Sequence, residues 1–220
     1  MTIAQAVDRL ISRSPFLEEA LTDNLINVSS LARQLRPEVE KILGKQVREG
    51  AIVMAINRRA PGYYFKITMG IKKFMGKLGD IIVRSDLSDF SFRNSPTLIA
   101  RQRNLMEEIG TERNVFCTFS QGVYETTIVA SNSLDKTIEK IFADEIKLSR
   151  KSGLGSVTIR LPEDNTEISG VYYYILKNLA WEGINICEII STTNEVSLVF
   201  AEKDVHKAFP ILLNLKKPGV

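Results

Sequence analysis

Two hydrophobic spacings alternate along the second half of this chain. "DIIVRSD" (80–86) predicts a strand, and "SPTLIARQRNLMEEIG" (95–110) a helix capped by Ser95 and opened by Pro96. "NVFCTFS" (114–120) and "VYETTIVAS" (123–131) read as strands, "SLDKTIEKIFADE" (133–145) as a helix capped by Ser133, and "EIKLSRKSG" (145–153) as a strand. From about Gly155 the order returns. "SVTIRLP" is a strand, "GVYYYILKNLAWEG" a helix, and "INICEIIS" and "EVSLVFAE" are strands. "KDVHKAFPILLNL" is a helix interrupted or ended near Pro210, and only the short "LKKPGV" tail stands where a last strand belongs.

The first part reads differently. Ser14-Pro15 opens a helix over "FLEEAL". Leu31, Ala32 and Leu35 share one helical face, Pro37 starts a further helix, and Val39, Ile42, Leu43 and Val47 recur at helical spacing until Gly50. "AIVMAINR" (51–58), a turn at "RAPG" (59–62) and "YYFKITM" (63–69) then predict a β-hairpin. Several short helices followed by a hairpin resemble a winged helix. Residues 71–79, "IKKFMGKLG", read as a basic connection.

The repeat can be checked by offset. "RNLMEE" (103–108) matches "KNLAWE" (177–182) at a shift of 74, and "YETTIVAS" (124–131) matches "NEVSLVFA" (194–201) at 70. Leu134, Ile138 and Ile141 match Val205, Phe209 and Leu212 at 71. The predicted class is α+β: tandem ferredoxin-like βαββαβ units at 79–150 and 151–220, behind a helical, winged-helix-like domain at 1–78. Each unit is expected to form a four-stranded antiparallel sheet with both helices on one face. The bare face and the edge strands call for cover by the other unit or by a second chain, so a homo-oligomer is expected.

The second unit carries a more specific resemblance. Gly170-Val171, Leu179-Ala180, Gly183-Ile184-Asn185-Ile186 and Ile190-Ser191 stand in the pattern of an ACT domain, of the kind found in the regulatory part of aspartokinases. Ser169 stands where proline is usual and Glu167 near the usual aspartate. Residues 79–150 match in element order only. The resemblance implies that a small ligand, usually an amino acid, binds between paired units and shifts an attached domain. Carried over by motif, its contacts are Glu167, Ser169, Gly170, Val171, Asn185 and Ile186. The residues agree with this. Glycine lets backbone approach a ligand, and a helix start attracts a carboxylate. Asn185 offers a donor and an acceptor, and Glu167 or carbonyls suit an ammonium. The same glycines would serve the turns without any ligand, and Asn185 could bond across a dimer.

Charge opens an alternative. Residues 1–78 hold 13 Lys and Arg against 7 Asp and Glu, a net of +6, whereas 79–220 carry −3. A DNA-binding regulator controlled by the paired units would grip backbone phosphates with Arg33, Arg36, Lys41, Lys45, Arg58 and Arg59, joined by Arg48. Glu38 and Glu40, at the start of the expected recognition helix, count against it.

Little points to catalysis. His206 is the single histidine, set among Lys203, Asp204 and Lys207. Cys117 and Cys187 have no CxxC partner, so no metal site is expected, and two such thiols suit a reducing cytoplasm. "SGLGS" (152–156) lacks dinucleotide-loop spacing and a P-loop lysine, so no cofactor is expected. No apolar run approaches ~18 residues, so no membrane span is predicted. The expected function is non-catalytic: a cytoplasmic regulator sensing an amino acid. The alternatives are the DNA-binding regulator and a separate regulatory subunit of an amino-acid biosynthetic enzyme such as aspartokinase.

Overall fold

The computed structural model describes residues 1–59, 63–112 and 114–217, without side chains at Pro15 and 63–68. Part of the expected 59–62 turn and the end of the 215–220 tail lie outside the described residues. The chain divides into two compact units, Met1–Lys73 with Ile168–Gly170, and Phe74–Glu167 with Val171–Val220.

The first unit is helical: α1 (Ile3–Ile11), α2 (Pro15–Thr22), α3 (Val28–Leu43), α4 (Glu49–Asn57) and α5 (Tyr63–Met75), the last running past its boundary. Thr2 and Gln5 close a capping box over the start of α1. The Asn27 side chain accepts from the Ser30 N–H at the start of α3. Two expectations change here. Pro37 starts no new helix, because α3 continues through it to Gly44, whose φ of 65° ends the run. Leu31 and Ala32 before the proline and Val39 after it are buried in one core, and that packing outweighs the lost hydrogen bond. The hairpin is also replaced. Residues 49–57 and 63–75 are helices, so the winged-helix reading loses its wing. In α4 the apolar residues surround much of the helix, hiding its period, but Ile52 and Ile56, one turn apart, are the buried pair.

The second unit carries a single six-stranded antiparallel sheet rather than two four-stranded ones. Its elements are β1 (Ile81–Arg93), α6 (Leu98–Ile109), β2 (Cys117–Gln121), β3 (Glu125–Ser131), α7 (Asp135–Ile141), β4 (Lys147–Arg160), α8 (Val171–Trp181), β5 (Glu188–Ser191), β6 (Glu195–Ala201) and α9 (Glu202–Asn214). The strand order is β2-β3-β1-β4-β6-β5. The helix after β6 continues through Pro210.

The sheet is interlocked at its centre. Residues Leu87–Arg93 of β1 pair with β3, while Ile81–Arg84 pair with Ser156–Ile159 at the far end of β4. The first four residues of β1 thus supply the strand that the second repeat lacks at its own C-terminus. Between the two halves each long strand bulges. Asp86 and Gly153 take left-handed backbone, with φ of 57° and 65°. Through these bulges Leu87, Asp89, Lys151, Leu154 and Ser156 keep to one face. Phe90, Phe92, Ile128 and Ala130 face the other way, into a core closed by Leu98 and Leu105 of α6 and Ile138 of α7. At the other end Gly155 has no room for a side chain. A Cβ there would stand 2.8 Å from a Val205 methyl of α9 and 2.9 Å from the Arg84 carbonyl.

Candidate functional site

The resemblance points first to α8. Gly170, with φ of 87°, immediately precedes it. Asn185 is exposed in the loop that follows its last turn, beyond Gly183 with φ of 69°. Eleven helical residues span about 16 Å, so Asn185 lies a helix length from the Gly170 turn in the same chain. Val171 is buried as the first residue of α8 and Ile186 is half-buried, while Glu167 and Ser169 are exposed. In the first copy the helix start is occupied from within. The Glu145 carboxylate, almost fully buried, accepts from Ser95 Oγ at 2.6 Å and Thr97 Oγ1 at 2.7 Å, with Arg101 Nε 3.8 Å away. Ser95 is therefore spent on Glu145, and α6 begins at Leu98 behind Thr97.

The face opposite the helices was not legible as a site. Its centre is apolar: Leu87, Val129, Leu154 and Val199 are buried, with Phe116, Cys187 and Ile190 packed over them. Beside this cluster lies Asp89, 1% exposed, whose two carboxylate oxygens have no hydrogen-bond partner among the described residues. Burial pushes its pKa up, opposed by Lys151 opposite it on β4. Glu188 at the start of β5 is raised too, by burial and then by Asp89. Ser156, at the place in β4 that Asp89 occupies in β1, is likewise buried with an unpaired hydroxyl.

At the second copy's end of this face lies a depression of about 600 Å³. It is lined by Asp80 and Ile82 at the start of β1, Thr158 and Arg160 at the end of β4, and Thr192–Glu195 in the β5–β6 turn. None of these was predicted. They are far apart in sequence, and only the interlocking of β1 with β4 assembles them. Among the described residues no group of His, Cys, Asp or Glu is placed to hold a metal ion.

The cations put forward for nucleic acid divide. Arg33 pairs with Glu49 at 3.3 Å and Arg36 with Glu40 at 2.9 Å. Glu40 also accepts from the Val47 N–H; that bond first, then Arg36, holds its carboxyl below the usual range. Arg59 is largely buried against Asp8 at 2.7 Å, Ser12 at 2.9 Å and Glu18 at 3.1 Å. Lys41, Lys45 and Arg58 are exposed.

Solved structures share the sheet architecture. The regulatory subunit of aspartate kinase from Thermus thermophilus, ligand free, superposes with a TM-score of 0.52 at 13% identity, over 64% of this chain and 99% of that one. Aspartate kinase from Clostridium acetobutylicum gives 0.52 at 17% identity, over 64% of this chain and 35% of that one. The fold is that of aspartate kinase regulatory domains. The Thermus flavus regulatory subunit gives 0.50 at 10% identity, over 99% of its length. This chain spans about a third of the Clostridium kinase. The likeness agrees with the ACT-domain resemblance of Gly183–Ile186. No family model and no curated protein sequence matches the chain. Among the described residues no helix is long and apolar enough to cross a membrane.

Proposed function

We propose that this chain is a non-catalytic regulatory protein that senses a small ligand, of the class of free amino acids, through its sheet unit. It works in the cytoplasm as a homo-oligomer. The observation that carries this reading is the fold of the interlocked six-stranded sheet unit, which superposes on an aspartate kinase regulatory subunit over nearly that subunit's whole length. The Gly170 turn and the Gly183–Ile186 loop are the family-like contacts. Lying at opposite ends of α8, they meet around one ligand when contributed by two copies.

A thermal-shift screen against the proteinogenic amino acids tests the reading. A ligand at 100 times its Kd stabilises the folded state by about 2.7 kcal/mol. A melting temperature unmoved by all of them at millimolar concentration would end it.

A second reading is a separate regulatory subunit acting on an enzyme of amino-acid synthesis. Near-complete coverage of two structures described as regulatory subunits favours it over the DNA-binding alternative. The latter relied on a hairpin now replaced by helices and on arginines engaged by Glu49, Glu40, Glu18 and Asp8. Co-purification of an amino-acid-synthesis enzyme whose rate the chain alters would support the subunit reading.

A further inference from the structure

The depression at the end of β4 differs from its counterpart in the first copy in a way that singles out a ligand. A shift of 67 residues carries β1 onto β4, as Leu87 onto Leu154, and a shift of 70 carries β3 onto β6, as Val129 onto Val199. Under these shifts Arg160 corresponds to Arg93 and Glu195 to Glu125. Both pairs face each other across neighbouring strands. An arginine opposite a glutamate is thus common to both copies and belongs to the sheet. The rest of the lining has diverged. Asp80 stands where the first copy has Ile146: Arg160 N–H donates to the Asp80 carbonyl as Arg93 N–H donates to that of Ile146. Thr192, Thr193 and Asn194 stand where it has Gly122, Val123 and Tyr124, two of which are 84% exposed apolar side chains.

The second copy's walls are fixed in place. Asn165, 8% exposed, donates to the Thr193 carbonyl at 2.7 Å and the Pro162 carbonyl at 2.9 Å. Thr192 N–H donates to the Glu195 carbonyl, and Leu161 N–H to that of Asn194. The stem of Arg160 lies where a side chain on Gly79 would be, its Cβ, Cγ and Cδ 3.0–3.2 Å from that position. Gly79 N–H and the Asp80 carbonyl bond the Arg160 backbone. The Asn194 Oδ1 is buried without a partner. One guanidinium and two carboxylates thus line one hollow, with an unpaired amide oxygen buried in its wall.

We propose that this hollow binds a small zwitterion, a free α-amino acid, within one copy of the chain. The inference rests on the sensing reading above and adds, to the contacts at Gly170 and Asn185, a second site for a ligand of the same class. Arg160 takes the carboxylate, which its planar fork matches in two parallel hydrogen bonds. Asp80 and Glu195 take the ammonium. The first copy, with Ile146 in place of Asp80, offers an ammonium nothing but Glu125.

The test starts from an amino acid identified by the thermal-shift screen and measures its Kd by titration calorimetry on the full chain. Arg160→Gln and Asp80→Asn should each weaken binding at least tenfold, with melting temperatures near that of the parent because all these groups are exposed. Arg93→Gln, the counterpart in the first copy, should leave Kd within twofold. A Kd unmoved by Arg160→Gln and Asp80→Asn but raised by Asn185→Ala sinks this site and leaves sensing intact. A screen without any hit sinks both.

Discussion

Asp86 and Gly153 occupy the same place in the two long central strands, and both hold left-handed backbone at a bulge. Each lets one strand serve two repeats. Nothing lies within 4 Å of where a Gly153 side chain would sit, so Gly153→Ala isolates backbone strain and should cost about 1–2 kcal/mol. Gly155→Ala, with Val205 and the Arg84 carbonyl in the way, should cost more. Urea midpoints with unchanged slopes check both.

Glu145 should prove structural. Two hydroxyl bonds of 2.6 and 2.7 Å and Arg101 converge on a buried carboxylate. Glu145→Ala strands Ser95 and Thr97 and opens a hole, and should destabilise by about 2–4 kcal/mol. Hydrogen exchange should accelerate first in α6.

Asp89 makes stability depend on pH in the direction opposite to a salt-bridged carboxylate. Its folded pKa is raised above the unfolded value by burial, so ionising it penalises the folded state. The penalty is absent below the unfolded carboxylate pKa of about 3.9 and is complete once pH passes the folded value. Asp89→Asn should therefore melt higher than the parent at pH 8, with the difference closing as pH falls towards 4. A gap that widened on acidification would show that Asp89 is a favourably held anion.

Arg59 should prove to be a clamp of the helical unit. It joins Asp8 and Ser12 near the end of α1 to Glu18 of α2, whose side chain is 5% exposed. Arg59→Met leaves Glu18 buried and uncompensated, a loss of about 3–5 kcal/mol. Adding Glu18→Gln should recover part of it. A nucleic-acid contact would instead leave the melting curve unchanged.

Helix and strand order in the second unit was legible because its elements are local and amphipathic: α6, α7, α8, β3 and β6 fall where their patterns place them. What was hidden depended on distant partners. "DLSDFSFR" carries serines and aspartates, and beyond Asp86 no element is predicted for it, yet it completes β1. Ser88 reaches Asp135 at 3.1 Å, Ser91 reaches Thr127 at 3.1 Å, and Asp89 is buried without a partner. No pattern in 81–84 announces a partner in 156–159. The candidate site suffered likewise. A motif could point to Gly170 and Asn185, but Asp80, Arg160 and Glu195 meet only through sheet pairing. In the first unit, apolar runs rich in β-branched and aromatic residues imitate strands, and only burial of Ile52 and Ile56 on one side distinguishes α4 as a helix.

The strand exchange at the sheet centre sets an order of events during synthesis. Ile81–Arg84 leaves the ribosome about 75 residues before Ser156–Ile159, the segment it pairs with. Through that interval the first repeat can close its own core, while the leading strand waits unpaired. Pairing across so long a separation is slow, because loop closure must precede its reward. A messenger truncated after the first repeat should therefore yield a chain with an exposed, aggregation-prone β segment at its front. The second half cannot be borrowed alone as a module: cutting at residue 150 divides β4 and deprives the second repeat of the Ile81–Arg84 strand that completes it.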